Sequence, residues 1–394
     1  MPAPLFSVVI PAHNRAATLA RVLAAYEDQR PVDLPFEVVV VDDGSTDATL
    51  ELLGRWRSRR FQLRLATQAN QGPARARNRA LELASAPLVL FTGDDIEPEP
   101  DLLAEHWCGH RAADDPWVAI LGLTRWPPDA PLTATMRHVD GPGAQQFGYH
   151  WMRDGQEYDF RHFYTSNVSL RRAALDSEPA GFSTDFPAAA WEDAELAHRL
   201  AGHGLRIVYR AAARAIHHHS YDARGFFRRQ VRSGEMAAVL CRKRPALRKW
   251  TDADQLERLR LRLLVADNRT RARVGRVAGA LELWQRRAIN FAGYLDHSSG
   301  EEADPLLLPL FRSAFLHGLA AGMYDREEAT RVSGAVLTTL LPPVVKRMVD
   351  DLDARGEPFP RADAEQLCSL LPAAHRLEGR GTAARSGASW RAGA

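Results

Sequence analysis

Apolar residues in the first hundred positions follow two alternating rhythms. The short β-branched runs Phe6-Ser-Val-Val-Ile10, Phe36-Glu-Val-Val-Val-Val41, Phe61 to Ala66 and Pro87-Leu-Val-Leu-Phe91 read as buried strands. Between them the apolar spacing is helical: Leu19, Val22, Leu23 and Tyr26 within Thr18 to Asp28, then Ala48 to Ser58 and Gly72 to Ala84. This alternation predicts an α/β fold, a mostly parallel sheet flanked by helices on both faces. Trp126 to Phe160 is rich in Gly, Pro and polar residues and reads as irregular. Short elements resume at Tyr164 to Leu170, Trp191 to Ala201 and Leu205 to Tyr209. From about Gly225 to about Leu371 the pattern is helical, most clearly at Leu306, Leu307, Leu310, Phe311, Ala314 and Phe315. The Gly, Ala, Ser and Arg-rich tail from Gly379 predicts disorder. The expected organisation is an α/β domain over residues 1–222, an all-helical C-terminal region over 223–378 and a tail over 379–394.

Composition adds limits. A chain of 394 residues, 45% of them hydrophobic, can bury a large core and suits two domains. A net charge of +2 excludes the strongly basic profile of a nucleic-acid binder. Cys108, Cys241 and Cys368 are far apart and form no CxxC, which argues against a disulfide framework or zinc site and predicts a cytoplasmic setting. Met1 to Phe6 carries no signal-peptide pattern, and polar residues break every apolar run well before about 18 residues.

Sheets of this kind bind ligands at the carboxyl ends of their strands. Those ends carry His13-Asn14, Asp42-Asp43 and Asp94-Asp95, so three polar clusters are expected on one rim. A carboxylate in Asp42-Asp43-Gly44-Ser45-Thr46-Asp47 can accept hydrogen bonds from a base or ribose. A plain turn, with Ser45 or Thr46 capping the next helix, uses the same residue types. In Thr92-Gly93-Asp94-Asp95 the adjacent carboxylates repel unless a cation or donor is near, which favours a metal–diphosphate site over a solvated loop. Trp191-Glu192-Asp193 opens a helix, where acids favour the dipole, yet a carboxylate beside an apolar Trp also suits a general base. His217-His218-His219 follows a strand; alternation would turn His217 and His219 to one face, as metal ligands, and His218 to the other. Arg75, Arg77 and Arg79 could bind a diphosphate, although solvated charge explains at least one of them.

In order and spacing these segments, from about Phe6 to Ser220, resemble family 2 glycosyltransferases of the GT-A fold. Ser-Val-Val-Ile-Pro-Ala-His-Asn14 is similar to the family's opening strand and Val-Asp-Asp-Gly-Ser-Thr-Asp47 to its nucleotide-binding loop. Asn70-Gln-Gly-Pro-Ala-Arg-Ala-Arg-Asn78 resembles the segment before the metal motif, Asp94-Asp95 the DxD-type motif, and Trp-Glu-Asp193 the start of the acceptor-side helix. Gly93 stands where many members have a first Asp. The resemblance implies an inverting transfer from a UDP-, GDP- or dTDP-sugar to the hydroxyl of a saccharide or lipid-linked acceptor, in cell-surface polysaccharide or glycoconjugate synthesis. It implies that Pro11, His13, Asn14, Asp42, Asp43, Arg77 and Asp94 serve the donor nucleotide. Asp95 and His217 would hold Mn2+ or Mg2+, and Asp193 would be the base, with Trp191 and Glu192 on the acceptor side.

Other functions are less well supplied. A sugar nucleotidyltransferase wants a Gly-rich basic loop after the first strand and a dinucleotide oxidoreductase wants GxGxxG; Pro-Ala-His-Asn14 provides neither. A degenerate transferase acting as a binding scaffold would not need Asp43, Asp95, Asp193 and His217 together. The basic segment Arg224 to Lys249, with Phe226 and Phe227 inside it, suits an anionic membrane surface on the cytoplasmic side. A covering helix with a solvated basic face explains it slightly better. The later helices could form a homodimer interface or shape the acceptor pocket.

Overall fold

The structure is a computed structural model that describes residues 2–141, 145–279, 281, 289, 293 and 306–340. The mostly parallel central sheet with flanking helices is present. Strands β1 (Phe6–Ala12), β2 (Phe36–Asp42), β3 (Gln62–Thr67) and β4 (Leu88–Thr92) alternate with helices α1 (Ala16–Glu27), α2 (Thr49–Arg55) and α3 (Pro73–Leu83). Their order in the sheet is β3-β2-β1-β4, all parallel. Side chains alternate between the two faces, as strand geometry demands. Val8, Ile10, Val38 and Val40 join Leu19, Val22, Leu23 and Tyr26 in one core. Val9, Val39, Val41 and Val89 face the other way, onto Ala74, Ala76 and Ala80 of α3.

The second half of the sheet begins within residues 96–125, to which no element is assigned from sequence. They form β5 (Ile96–Pro98), α4 (Leu102–Ala113) and β6 (Val118–Arg125). Two short pieces lie in the segment expected to be irregular. Helix α5 (Ala134–Asp140) is capped by Thr133 Oγ1, which accepts the Met136 N–H at 3.0 Å, and β7 spans Glu157–Tyr158. Strand β8 (Asn167–Arg171) joins β4 and β6 antiparallel. After α6 (Arg172–Asp176) and α7 (Glu192–Gly202), β9 runs from Arg206 to His217, well beyond the expected end at Tyr209. Its pairing with β6 breaks between Gly122 and Leu123, where the partner jumps from Arg210 to Arg214. Past this bulge β9 meets β5, with Ile96 opposite His217. A bulge re-aims the strand that carries it; here it brings the histidine run beside Asp94-Asp95.

Neither Ser45 nor Thr46 caps α2, whose Ala48 cap has no side-chain bond. Asp47 takes that part instead, its Oδ1 accepting the Thr49 N–H at 2.9 Å.

The helical region begins where expected, with α8 (Ala223–Lys243), α9 (Ala253–Leu264) and α10 (Asn268–Gly279), followed by helices Leu307–Met323 and Arg326–Leu340. Helix Leu307–Met323 lies directly on α8. A Cβ at Gly234 would stand 2.0 Å from the Phe315 carbonyl oxygen, and one at Gly318 would stand 1.8 Å from that of Val231. Only glycine permits backbones this close. Phe226 and Phe227 are buried, so the exposed face of α8 is basic without its aromatics. The expected helix beyond Leu340 and the tail 379–394 lie outside the described residues. No described helix is long and apolar enough to cross a membrane.

Candidate functional site

The three polar clusters meet at the carboxyl ends of β1, β2 and β4. The His13 N–H donates to Asp94 Oδ2 at 3.1 Å, and His13 Nδ1 donates to the Asp43 carbonyl oxygen at 2.9 Å. That fixes Nε2 as the acceptor, and the Asn14 and Asn70 amides donate to it, both at 3.1 Å. Asn14 also ties down the next loop: its Oδ1 accepts the Thr46 N–H at 2.7 Å. Pro11 lies half-buried at the end of β1.

Asp43 is nearly buried, and its carboxylate accepts three donors, the Gln68 amide, the Gln71 N–H and the Gly72 N–H, each at 2.8 Å. It therefore locks the loop that leads into α3. Asp43→Ala would strand these donors, and an unmatched buried donor costs about 1–3 kcal/mol. A thermal melt should show a loss of at least that size; an unchanged melting temperature would detach Asp43 from the loop. Asp42 is 2% exposed; its Oδ2 accepts the Ser45 N–H at 3.3 Å and so serves the turn, while its Oδ1 is buried with no hydrogen-bond partner among the described residues.

Asp94 and Asp95 sit at the sheet end, each side chain 15% exposed. Burial, and then the Asp95 charge beside it, pushes Asp94 up to about 7. Burial works against ionisation of Asp95 too, but the His217 hydrogen bond and the charges of His217, Arg15 and His219 outweigh it, and Asp95 lies below its ordinary value. His217 Nε2 stands 3.7 Å and His219 Nδ1 3.8 Å from Asp95 Oδ2. One ligand atom from each of the three lies within 4.8 Å of the others. His218 points away to Glu97, and its N–H donates to the Asp95 carbonyl at 2.8 Å. Strand alternation anticipates this division, while the family pattern names His217 and omits His219. Trp126 stacks on His217 at 5.1 Å and 12°. Arg15, which motif reading also misses, places its guanidinium 4.0 Å from both Asp94 and Asp95. Its one sequence signal is its position next to Asn14 on the same rim.

Two further histidines are core residues. His106 and His110 bond Asn167 and Ser169, each at 2.8 Å, and burial lowers them to about 4 and about 3.

On the other side of the site, Trp191 enters α7 with φ 71° and donates its indole N–H to the Ser233 carbonyl at 3.1 Å, anchoring α7 to α8. Glu192 is buried and paired with Arg77 at 2.8 Å; Arg77 also lies 5.4 Å over the Phe182 ring. The structure thus holds Arg77 inside on Glu192 and not free for a diphosphate, while Arg75 and Arg79 are exposed on α3. Asp193 accepts the adjacent Ala194 N–H, at 2.8 Å. Burial and then the Glu192 charge raise its pKa well above the ordinary value, against the pull of Arg77. Arg77→Leu would leave Glu192 buried and unpaired, at a cost of about 3–5 kcal/mol. A denaturant melt checks this; a loss below about 1 kcal/mol, typical of an exposed pair, would contradict the buried pairing. An aromatic bridge joins the two sides: Phe147 lies 6.5 Å from His217 and 5.1 Å from Tyr164, whose phenol feels the Asp193 charge.

Residues 7–177 match the family described as Glycosyl transferase family 2. A validoxylamine A glucosyltransferase of Streptomyces hygroscopicus subsp. jinggangensis is 32% identical over 238 residues, 52% of this chain and 53% of that protein. A PGL/p-HBAD biosynthesis glycosyltransferase of Mycobacterium bovis is 40% identical over 106 residues, 26% of this chain and 41% of that one. The chain spans about half or less of the curated relatives it matches. Among solved structures, a mannosyltransferase from Pyrobaculum calidifontis in complex with GDP-Man and Mn2+ has a TM-score of 0.46 at 20% identity, covering 93% of this chain and 86% of that one. S. aureus TarS in complex with UDP has 0.44 at 18%, covering 92% and 91%. Over residues 7–177, the chain is thus similar to glycosyl transferase family 2.

Proposed function

We propose that this protein is an inverting glycosyltransferase that moves a sugar from a nucleoside diphosphate sugar to an acceptor hydroxyl. The observation that carries the reading is the cluster of Asp95, His217 and His219 on the same rim as the loop Asp42 to Asp47. Its donor set, one carboxylate and two imidazoles, fits a divalent cation. Two imidazoles favour Mn2+ over Mg2+, which prefers oxygen ligands. A cation held there would act as a Lewis acid toward the charge that develops on the diphosphate.

The chain's own groups do the rest. Pro11, His13 and the loop locked by Asp43 border the nucleotide, and Arg15 puts a second positive charge near the phosphates. Asp193, half-buried at the head of α7, takes the acceptor proton. The acceptor oxygen bonds to the anomeric carbon from the face opposite the departing diphosphate, which leaves with the electron pair of its bond to that carbon. Placing donor and acceptor in line lowers the barrier further. Residues 1–222 form the catalytic domain in this reading, and α8 with helix Leu307–Met323 braces its acceptor side through Trp191. Cell-surface polysaccharide or glycoconjugate synthesis is the proposed setting. The deciding assay measures release of nucleoside diphosphate from UDP-, GDP- and dTDP-sugars with Mn2+, with and without candidate saccharide or lipid-linked acceptors. No turnover of any donor, from a folded protein that still binds nucleotide, would favour a binding scaffold.

A further inference from the structure

Eight large apolar side chains stand exposed on the described surface, and three of them fall within five residues: Leu261 at 50%, Leu264 at 58% and Val265 at 85%. They belong to the end of α9, where Val265 is the C-cap. Successive helical residues are about 100° apart, so Arg258, Leu261, Arg262 and Val265 share one face. The opposite face carries Ala253, Leu256 and Leu259 into the helical core. Across the short turn to α10, Arg269 and Arg271 are exposed as well. The corner therefore presents branched aliphatic side chains ringed by guanidinium groups.

Arg258, Arg262, Arg269 and Arg271 have no carboxylate partner among the described residues. The nearby acids are engaged elsewhere: Asp254 with Arg248, Glu257 with Arg260, and Asp267 as the cap that accepts the Thr270 N–H. Water alone gives no reason to expose three aliphatic side chains together. A second copy docking through this corner by a two-fold contact would set arginines against arginines. A nucleic acid would use the arginines but not the aliphatics. A lipid surface uses both: aliphatic side chains enter the acyl boundary while arginines reach anionic headgroups along their apolar stems.

We infer that the α9–α10 corner, through Leu261, Leu264, Val265 and the arginines around them, docks the protein on an anionic membrane surface. The contact is independent of the donor site and of the glycosyltransferase reading. It is also distinct from the basic face of α8, whose phenylalanines are buried.

The test is flotation of the full chain with phosphatidylcholine vesicles, with and without phosphatidylglycerol, at low and high salt. The expected result is binding only to the anionic vesicles, weakened by salt. The variant R262E/R269E should lower partitioning by at least roughly 25-fold, from about fivefold per surface arginine. A second variant, L264S/V265S, should also release the protein while keeping its helical content and melting temperature. No flotation of the native protein overturns the inference, as does equal binding to neutral vesicles or unchanged binding of both variants. Loss of a dimer in the variants, with no vesicle binding by the native protein, would assign the corner to a second copy and equally overturn it.

Discussion

Asp193→Asn is expected to lower turnover by about 10²–10⁴-fold, the range for general acid–base catalysis. Asparagine keeps the shape at the start of α7 but cannot take a proton. Donor affinity should hold, because Asp193 lies across the aromatic bridge from the His13, Asp43 and Asp95 rim. Isothermal titration with nucleoside diphosphate and Mn2+, beside the steady-state rate, separates the two effects. A fully active variant would remove Asp193 from the chemistry.

The raised pKa of Asp193 adds a second signature. As a base it must be ionised, so turnover should fall with falling pH through a limb above the usual carboxylate range. The sign for stability is the reverse. The folded chain binds this proton more tightly than the unfolded chain, whose Asp titrates near about 3.9. This contribution is complete below that value and is lost as pH rises through the folded pKa. Asn at 193 avoids the loss, so the variant's melting temperature relative to the native protein should improve from acid to neutral pH. A residue that only served the helix dipole would show the opposite, a cost of about 0.3–1 kcal/mol at neutral pH.

The second large effect concerns the cation. Excess EDTA should abolish transfer, and Mn2+ should restore it more fully than Mg2+. Asp95→Ala should weaken nucleotide binding only when metal is present. His219→Ala should weaken apparent Mn2+ affinity by at least roughly tenfold to hundredfold, the range seen even for outer partners of metal ligands. His218→Ala should leave Mn2+ dependence intact, because His218 faces Glu97. Full turnover in excess chelator would defeat the metal assignment for all three ligands.

Much of this fold is legible one residue at a time. The buried runs at Phe6, Phe36 and Pro87 carry too many β-branched and apolar side chains for an exposed or helical role, and each forms its strand. The helical spacing of Leu19, Val22, Leu23 and Tyr26 likewise marks the buried face of α1. Within residues 96–117 the signal is weak because β5 has three residues and α4 buries His106 and His110 among its apolar positions, whereas β6 carries the plain apolar run Val118-Ala-Ile-Leu121. Polar residues that satisfy each other inside the core leave no apolar period to read. Helix α5 hides for a related reason, being only seven residues long in a segment rich in turn formers.

Sequence alone determined the parallel half-sheet, the helical C-terminal region and the sites where acids end buried strands, because each depends on local periodicity and turn chemistry. Strand alternation also anticipated that His217 and His219 share a face, although β9 itself ends at His217. Tertiary structure decided which polar residues are free to meet a ligand. Arg77 and Arg75 differ by two positions, yet the fold buries one on Glu192 and leaves the other in water. Asp42 and Asp43 are neighbours, yet one serves a turn and the other ties down the loop before α3. The bulge in β9 brought the histidines to Asp95 across more than a hundred residues of chain. These outcomes depend on partners far away in sequence, and the energy of a buried charge is set by what the whole fold places beside it.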